Sequence, residues 1–115
     1  GIRMGIVSAK MRPGVELGLE VTGIRSFFDT IVTIDDVQNP KPHPEPVLKG
    51  IKGLEANIER VLMVGDNYHD IESGKNAGVK TAGVTWSLKG KEYLQKFNPT
   101  YMLEDMRDLL PIVGV

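Results

Sequence analysis

Two carboxylates, Asp66 and Asp70, stand four residues apart just behind the apolar run Val61-Leu62-Met63-Val64 and Gly65. Four consecutive apolar residues read as a buried strand, and a glycine lets the backbone turn sharply where it ends. A helix starting between the two acids would put both at its N-terminal end, on one face. Paired carboxylates beyond the carboxyl end of a parallel strand suit a hard, oxygen-seeking cation such as Mg²⁺. That points to metal-assisted chemistry on an anionic substrate, above all a phosphate. Acids in a first helical turn can also do no more than favour the helix dipole. The buried strand and glycine ahead of this pair favour the metal. Asp66, nearer the strand, is the expected direct ligand. Asp70 is expected to act through water or to orient Lys41.

Two further residues fit the same chemistry. Ser8 follows Gly5-Ile6-Val7, where a small hydroxyl beside the free amides of Ala9 and Lys10 can hold a phosphate oxygen. Its ordinary alternative is a turn or cap serine. Lys41 lies in Asn39-Pro40-Lys41-Pro42-His43-Pro44-Glu45-Pro46, four prolines in eight positions. So rigid a loop can fix one ammonium against charge developing on a phosphoryl group, where an ordinary lysine would sit free on the surface. Other polar residues read more plainly. Asp35-Asp36 suits a turn and helix start. His43 and His69 read as structural or surface residues, since Mg²⁺ prefers oxygen. Gly74-Lys75 lacks the spacing of a phosphate-binding loop. Trp86 and Tyr93 read as packing residues near a sheet edge.

These residues need elements to position them. Strand-like segments fall at 5–7, 30–34, 61–64, 81–84 and 101–103. Helical segments fall between them, from Pro13 to Thr22-Gly23, then at 45–51, 71–77, 92–97 and 105–110, the last ahead of Pro111. Phe27 and Phe28 read as apolar plugs before the second strand. Gly74 and Ala77 would let their helix approach a sheet closely. The alternation predicts an α/β fold, a Rossmann-like, mostly parallel sheet with helices on both faces. Ser8, Asp35-Asp36 and Asp66 all follow strands, where such sheets bind ligands.

Composition narrows the partners. A length of 115 residues predicts a single domain, 1–115. A net charge of −1, from 14 basic and 15 acidic residues, argues against a nucleic-acid partner. The chain has no cysteine, so disulfides and thiolate metal sites are excluded and a cytoplasmic location fits. No apolar run approaches the roughly 20 residues that span a bilayer, and no membrane partner is expected.

Taken in order, Gly5-Ile6-Val7-Ser8-Ala9-Lys10, Lys41-Pro42-His43-Pro44-Glu45-Pro46 and Gly65-Asp66-Asn67-Tyr68-His69-Asp70, with Gly74-Lys75-Asn76-Ala77-Gly78, resemble haloacid dehalogenase superfamily phosphohydrolases. The stretches 27–37 and 81–86 resemble the phosphoglycolate phosphatase and small pyrophosphatase group within it. The resemblance implies that Ser8 and the neighbouring amide of Ala9 bind the transferring phosphoryl group. It also implies that Lys41 stabilises nucleophile and phosphoryl charge, and that Asp66, with Asp70 as its partner, holds Mg²⁺. The implied substrate is a small phosphorylated molecule or pyrophosphate, hydrolysed through an aspartyl-phosphate.

The family's first motif, Asp-x-Asp on an apolar strand, supplies nucleophile and general acid/base; no Asp-x-Asp occurs among these 115 residues. The cap domain, which would lie between the first two motifs, has no counterpart either. The resemblance therefore covers the C-terminal part of the core only, and this chain alone is expected to be inactive. The alternative function is a non-catalytic module that binds phosphate or metal, or that assembles with a fragment. A signalling receiver domain fits less well, because its acidic pair would follow the first strand. In the family the missing strand lies mid-sheet, between the strands at 5–8 and 61–65. Leaving it out would strip partners from about three to five apolar side chains, on the order of 5–15 kcal/mol, comparable to the stability of a whole domain. The expectation is an upstream segment, a second copy in a homodimer, or a sheet that closes up; an open, solvated slot is not expected.

Overall fold

Five short strands alternate with five helices in the computed structural model, which describes residues 2–87 and 89–114. The strands are β1 (Gly5–Val7), β2 (Thr30–Val32), β3 (Leu62–Gly65), β4 (Lys80–Val84) and β5 (Tyr101–Leu103). The helices are α1 (Arg12–Thr22), α2 (Glu45–Leu54), α3 (Tyr68–Ala77), α4 (Lys91–Gln95) and α5 (Leu109–Val113). Every strand pairing is parallel, so the α/β, Rossmann-like reading is borne out.

Local chemistry sets the ends of these elements. Pro13 enters the first turn of α1, where its missing N–H costs nothing, and Gly23 ends the helix in the left-handed region at φ 72°. The second strand is shorter than its β-branched run because Asp36 interrupts it. The Asp36 carboxylate accepts from the Thr33 N–H at 2.8 Å and from the Thr33 hydroxyl at 3.0 Å, turning 34–36 into a short 3₁₀ helix. Pro111 does not follow the last helix. It lies in the first turn of α5, which tolerates proline.

The apolar residues of β3 alternate between two clusters. Met63 joins Val47, Ile51, Ala77 and Val79 on one face, while Leu62 and Val64 join Ala82, Val84 and Leu103 on the other. Helix α3 lies close on this sheet through Gly74, where a Cβ would meet Thr81 Cγ2 at 2.6 Å. Two aromatic residues depart from their packing roles: Phe27 is 60% exposed and Trp86 50% exposed.

The sheet is in two pieces. β1 pairs with β2, and β3, β4 and β5 form a second ladder in that order. Among the described residues no ladder joins β1 to β3, so the sheet does not close up, and that one of the three expected outcomes is corrected. The reason lies in the packing. Met63, Leu62 and Val64 keep partners in the two clusters, and Ile6 and Val7 stay half-buried. Helix α2 packs on β1 and β2 and also against α3, which packs on β3 and β4. The two half-sheets are thus held by helices and by the proline-rich loop, through Lys41 to Val7 and Asp70 and through Ser73 and Asn76 of α3, which donate to the His43 and Pro42 carbonyls.

Candidate active site

The carboxyl ends of β1 and β3 face the same shallow cavity of about 290 Å³, lined by Ala9, Lys41, Asp66, Asn67 and His69. Lys41 arrives on the proline-rich loop. Its Nζ donates to the Val7 carbonyl at 3.1 Å and to Asp70 Oδ1 at 2.5 Å. The lysine therefore ties the last residue of β1 to the first turn of α3, across the opening between the half-sheets. Both side chains are nearly enclosed, at 11% and 10% exposure. An ammonium so placed is pre-positioned and carries little hydration.

The other oxygen of Asp70 builds the loop in front of it. Asp70 Oδ2 accepts from the backbone N–H groups of Asp66 and Asn67, each at 3.2 Å. Asn67 Oδ1 accepts from the His69 N–H at 3.3 Å, so Asn67 and Asp70 cap α3 reciprocally. Gly65 makes this possible through space. A Cβ there would fall 2.1 Å from Asp70 Cβ, so glycine is needed for the carboxylate's approach, not for the sharp turn read from the sequence.

Asp66 differs from Asp70. It is exposed, and among the described residues its carboxylate has no hydrogen-bond partner. Its backbone is fixed at both ends: the N–H donates to Asp70, and the carbonyl accepts from Ser87 Oγ at 2.7 Å. Among the described residues no three Asp, Glu, His or Cys side chains converge as a metal cage. The donor set still fits Mg²⁺, which keeps several waters and commonly takes only one or two carboxylates. Asp66 is the free carboxylate of this site. Asp70 stands against Lys41, in the orienting arrangement.

Ser8 follows β1, and its backbone continues the pairing by donating to the Val32 carbonyl at 2.9 Å. Its Oγ accepts from the Lys10 N–H at 3.1 Å, which leaves the hydroxyl proton free to donate. Ala9, next to it, is exposed and lines the cavity. Asp35-Asp36 stays out of the cavity lining. Arg12 Nη2 donates to Asp36 Oδ2 at 2.7 Å, and Asp36 is held below the usual carboxylate range, first by the Thr33 N–H and then by Arg12. His43 Nδ1 accepts from the Glu45 N–H at 3.0 Å, a structural role.

Three residues were missed as site residues. Asn67 was legible, since Asn67-x-x-Asp70 is a capping pattern. His69 was read as structural or surface but lines the cavity. Ser87 carried no sequence signal, because only the return of the chain after β4 brings it to Asp66.

Comparison with known proteins follows the same lines. A family model for haloacid dehalogenase-like hydrolases matches residues 1–84. The pyrophosphatase PpaX of Bacillus velezensis is 55% identical over 115 residues, all of this chain and 53% of that protein. PpaX of Anoxybacillus flavithermus is 53% identical, over all of this chain and 54% of its own length. The chain thus spans about half the length of the curated relatives it matches. Among solved structures, a haloacid dehalogenase superfamily hydrolase of Geobacter sulfurreducens superposes with a TM-score of 0.84 at 26% identity, over 98% of this chain and 49% of that one. One from Ehrlichia chaffeensis gives 0.78 at 25% identity, over 97% and 49%.

Proposed function

This chain belongs to the haloacid dehalogenase-like hydrolase family, and we propose that it carries the phosphate-binding and metal-binding half of a Mg²⁺-dependent phosphatase or pyrophosphatase site. The carrying observation is Lys41, whose ammonium joins Val7 to Asp70 on the rim of the cavity that Asp66 lines. The printed names of the matched relatives point to pyrophosphate as substrate; another small phosphorylated molecule fits the same groups.

In this reading each group has one task. Lys41 supplies positive charge to the transferring phosphoryl group and to the nucleophile beside it. Ser8 donates its free hydroxyl proton to a phosphoryl oxygen, and the Ala9 N–H offers a second donor. Asp70 keeps Lys41 in place. Asp66 would hold Mg²⁺ through its free carboxylate. A bound Mg²⁺ would screen the approach of an anionic nucleophile to an anionic substrate.

The nucleophile comes from a strand bearing Asp-x-Asp, seated between β1 and β3, whose facing edges are unpaired with one another. Such a strand would run parallel to both and end beside Lys41. Its aspartate attacks phosphorus, the leaving group departs, and water hydrolyses the aspartyl-phosphate. That strand is supplied by a preceding segment or by another chain, and the 115-residue chain by itself turns nothing over. The absence of cysteine supports a cytoplasmic location. Among the described residues no helix is long and apolar enough to cross a membrane.

The lack of Asp-x-Asp favours one second reading, a module that binds phosphate or metal without catalysis. The test is pyrophosphate hydrolysis by the purified chain with Mg²⁺, alongside Asp66→Asn. No turnover is expected; turnover that depends on Asp66 would overturn the half-site reading.

A further inference from the structure

Asp66 is fixed from an element that the phosphate-binding groups do not use. Ser87 lies in the loop after β4, between the strand and α4. Its Oγ donates to the Asp66 carbonyl at 2.7 Å and accepts from the Lys89 N–H at 3.0 Å. Its own N–H donates to the Val84 carbonyl at 3.2 Å, and its carbonyl accepts from the Gly90 N–H at 3.0 Å. Ser87 is thus locked into a turn on three sides and spends its one hydroxyl proton on Asp66. On the other side, the Asp66 N–H is held by Asp70. The peptide groups flanking Asp66 are pinned from two different elements, while its carboxylate is left free.

We infer that Ser87 is a positioning residue for the metal-binding carboxylate. Its hydroxyl, through the Asp66 carbonyl, sets the direction in which that side chain is presented. This rests on the metal reading of Asp66. A carboxylate on a freely turning peptide must lose backbone entropy when it takes up a cation. One whose peptide is already fixed loses less, and its affinity rises accordingly. The hydroxyl, not the bulk of residue 87, carries the effect, because it is the hydroxyl that reaches the Asp66 carbonyl.

The test uses Mn²⁺ as the probe on the full chain, followed by paramagnetic broadening of backbone amide signals. In the parent chain, broadening is expected to centre on Asp66 and to vanish in Asp66→Asn. Ser87→Ala and Ser87→Val are expected to need roughly tenfold more Mn²⁺ for half-broadening, while Ser87→Thr, the isostere of the valine variant, stays within about twofold of the parent. Unchanged amide positions outside the loop show that each variant is folded. If Ser87→Ala and Ser87→Val titrate like the parent, the inference fails while the metal reading stands. If the parent shows no broadening at Asp66, both fail together.

Discussion

Lys41 Nζ and Asp70 Oδ1 meet at 2.5 Å on the line where the sheet is broken, with the Val7 carbonyl as the third partner. The pair links β1, the proline-rich loop and α3, three elements that no strand ladder joins. Removing one partner of so enclosed a pair leaves the other without its counter-charge. Asp70→Leu is therefore expected to cost about 3 kcal/mol, and Lys41→Met/Asp70→Leu less than the sum of the two single changes. Urea unfolding of the four proteins measures both; additive losses would show that the pair is not coupled.

Gly65 and Asp70 give a second expectation. A methyl at position 65 cannot coexist with the Asp70 side chain where it stands. Gly65→Ala should destabilise by about 1–3 kcal/mol. It should also release the Asp66 and Asn67 amides from Asp70, seen as faster hydrogen exchange at those two positions than in β3.

Asn67 caps α3 through its side chain and also meets the His69 ring, Oδ1 to Nδ1 at 2.9 Å. Asn67→Ala should lose about 1 kcal/mol by thermal or urea unfolding, and Asn67→Asp or Asn67→Ser should recover most of it. An equal loss in all three variants would assign the effect to something other than the cap.

Asp36 predicts a pH dependence. The Thr33 N–H and Arg12 hold its carboxyl below the usual range in the folded protein. Its contribution to stability is therefore complete above the unfolded value of about 3.9 and is lost as pH falls through the lower folded value. Arg12 and Asp36 are each about a third exposed, so solvent limits the size of the effect. Asp36→Asn should lower stability at pH 7 and flatten the decline of stability below about pH 4. Parallel curves for the two proteins would contradict this.

Much of this was legible before the structure. The alternation of strands and helices followed from apolar runs and glycine stops, and Gly74 did allow the close approach its size promised. Asp66, Asp70, Lys41 and Ser8 could be singled out because each sits behind an apolar run or in a rigid loop. What could not be read depends on distance along the chain. Ser87 reaches Asp66 across 21 residues, and no local pattern encodes it. The need for glycine at 65 was visible, but its reason was not, because the clash is with a side chain five residues on. That β1 and β3 would not close on each other was not legible, because the apolar residues of β3 find cover in α2, α3 and the neighbouring strands, which a count of unpartnered side chains along one edge leaves out.

The central claim is that the break between β1 and β3 is the seat of a strand that completes a phosphoryl-transfer site. The most direct measurement co-expresses this chain with the portion of the Bacillus velezensis pyrophosphatase that it does not cover, and assays the purified pair for Mg²⁺-dependent pyrophosphate hydrolysis. Activity is expected in the pair, absent from either part alone, and abolished by Lys41→Ala or Asp66→Asn in this chain. A stable pair that remains inert, or one whose activity survives both substitutions, would contradict the account.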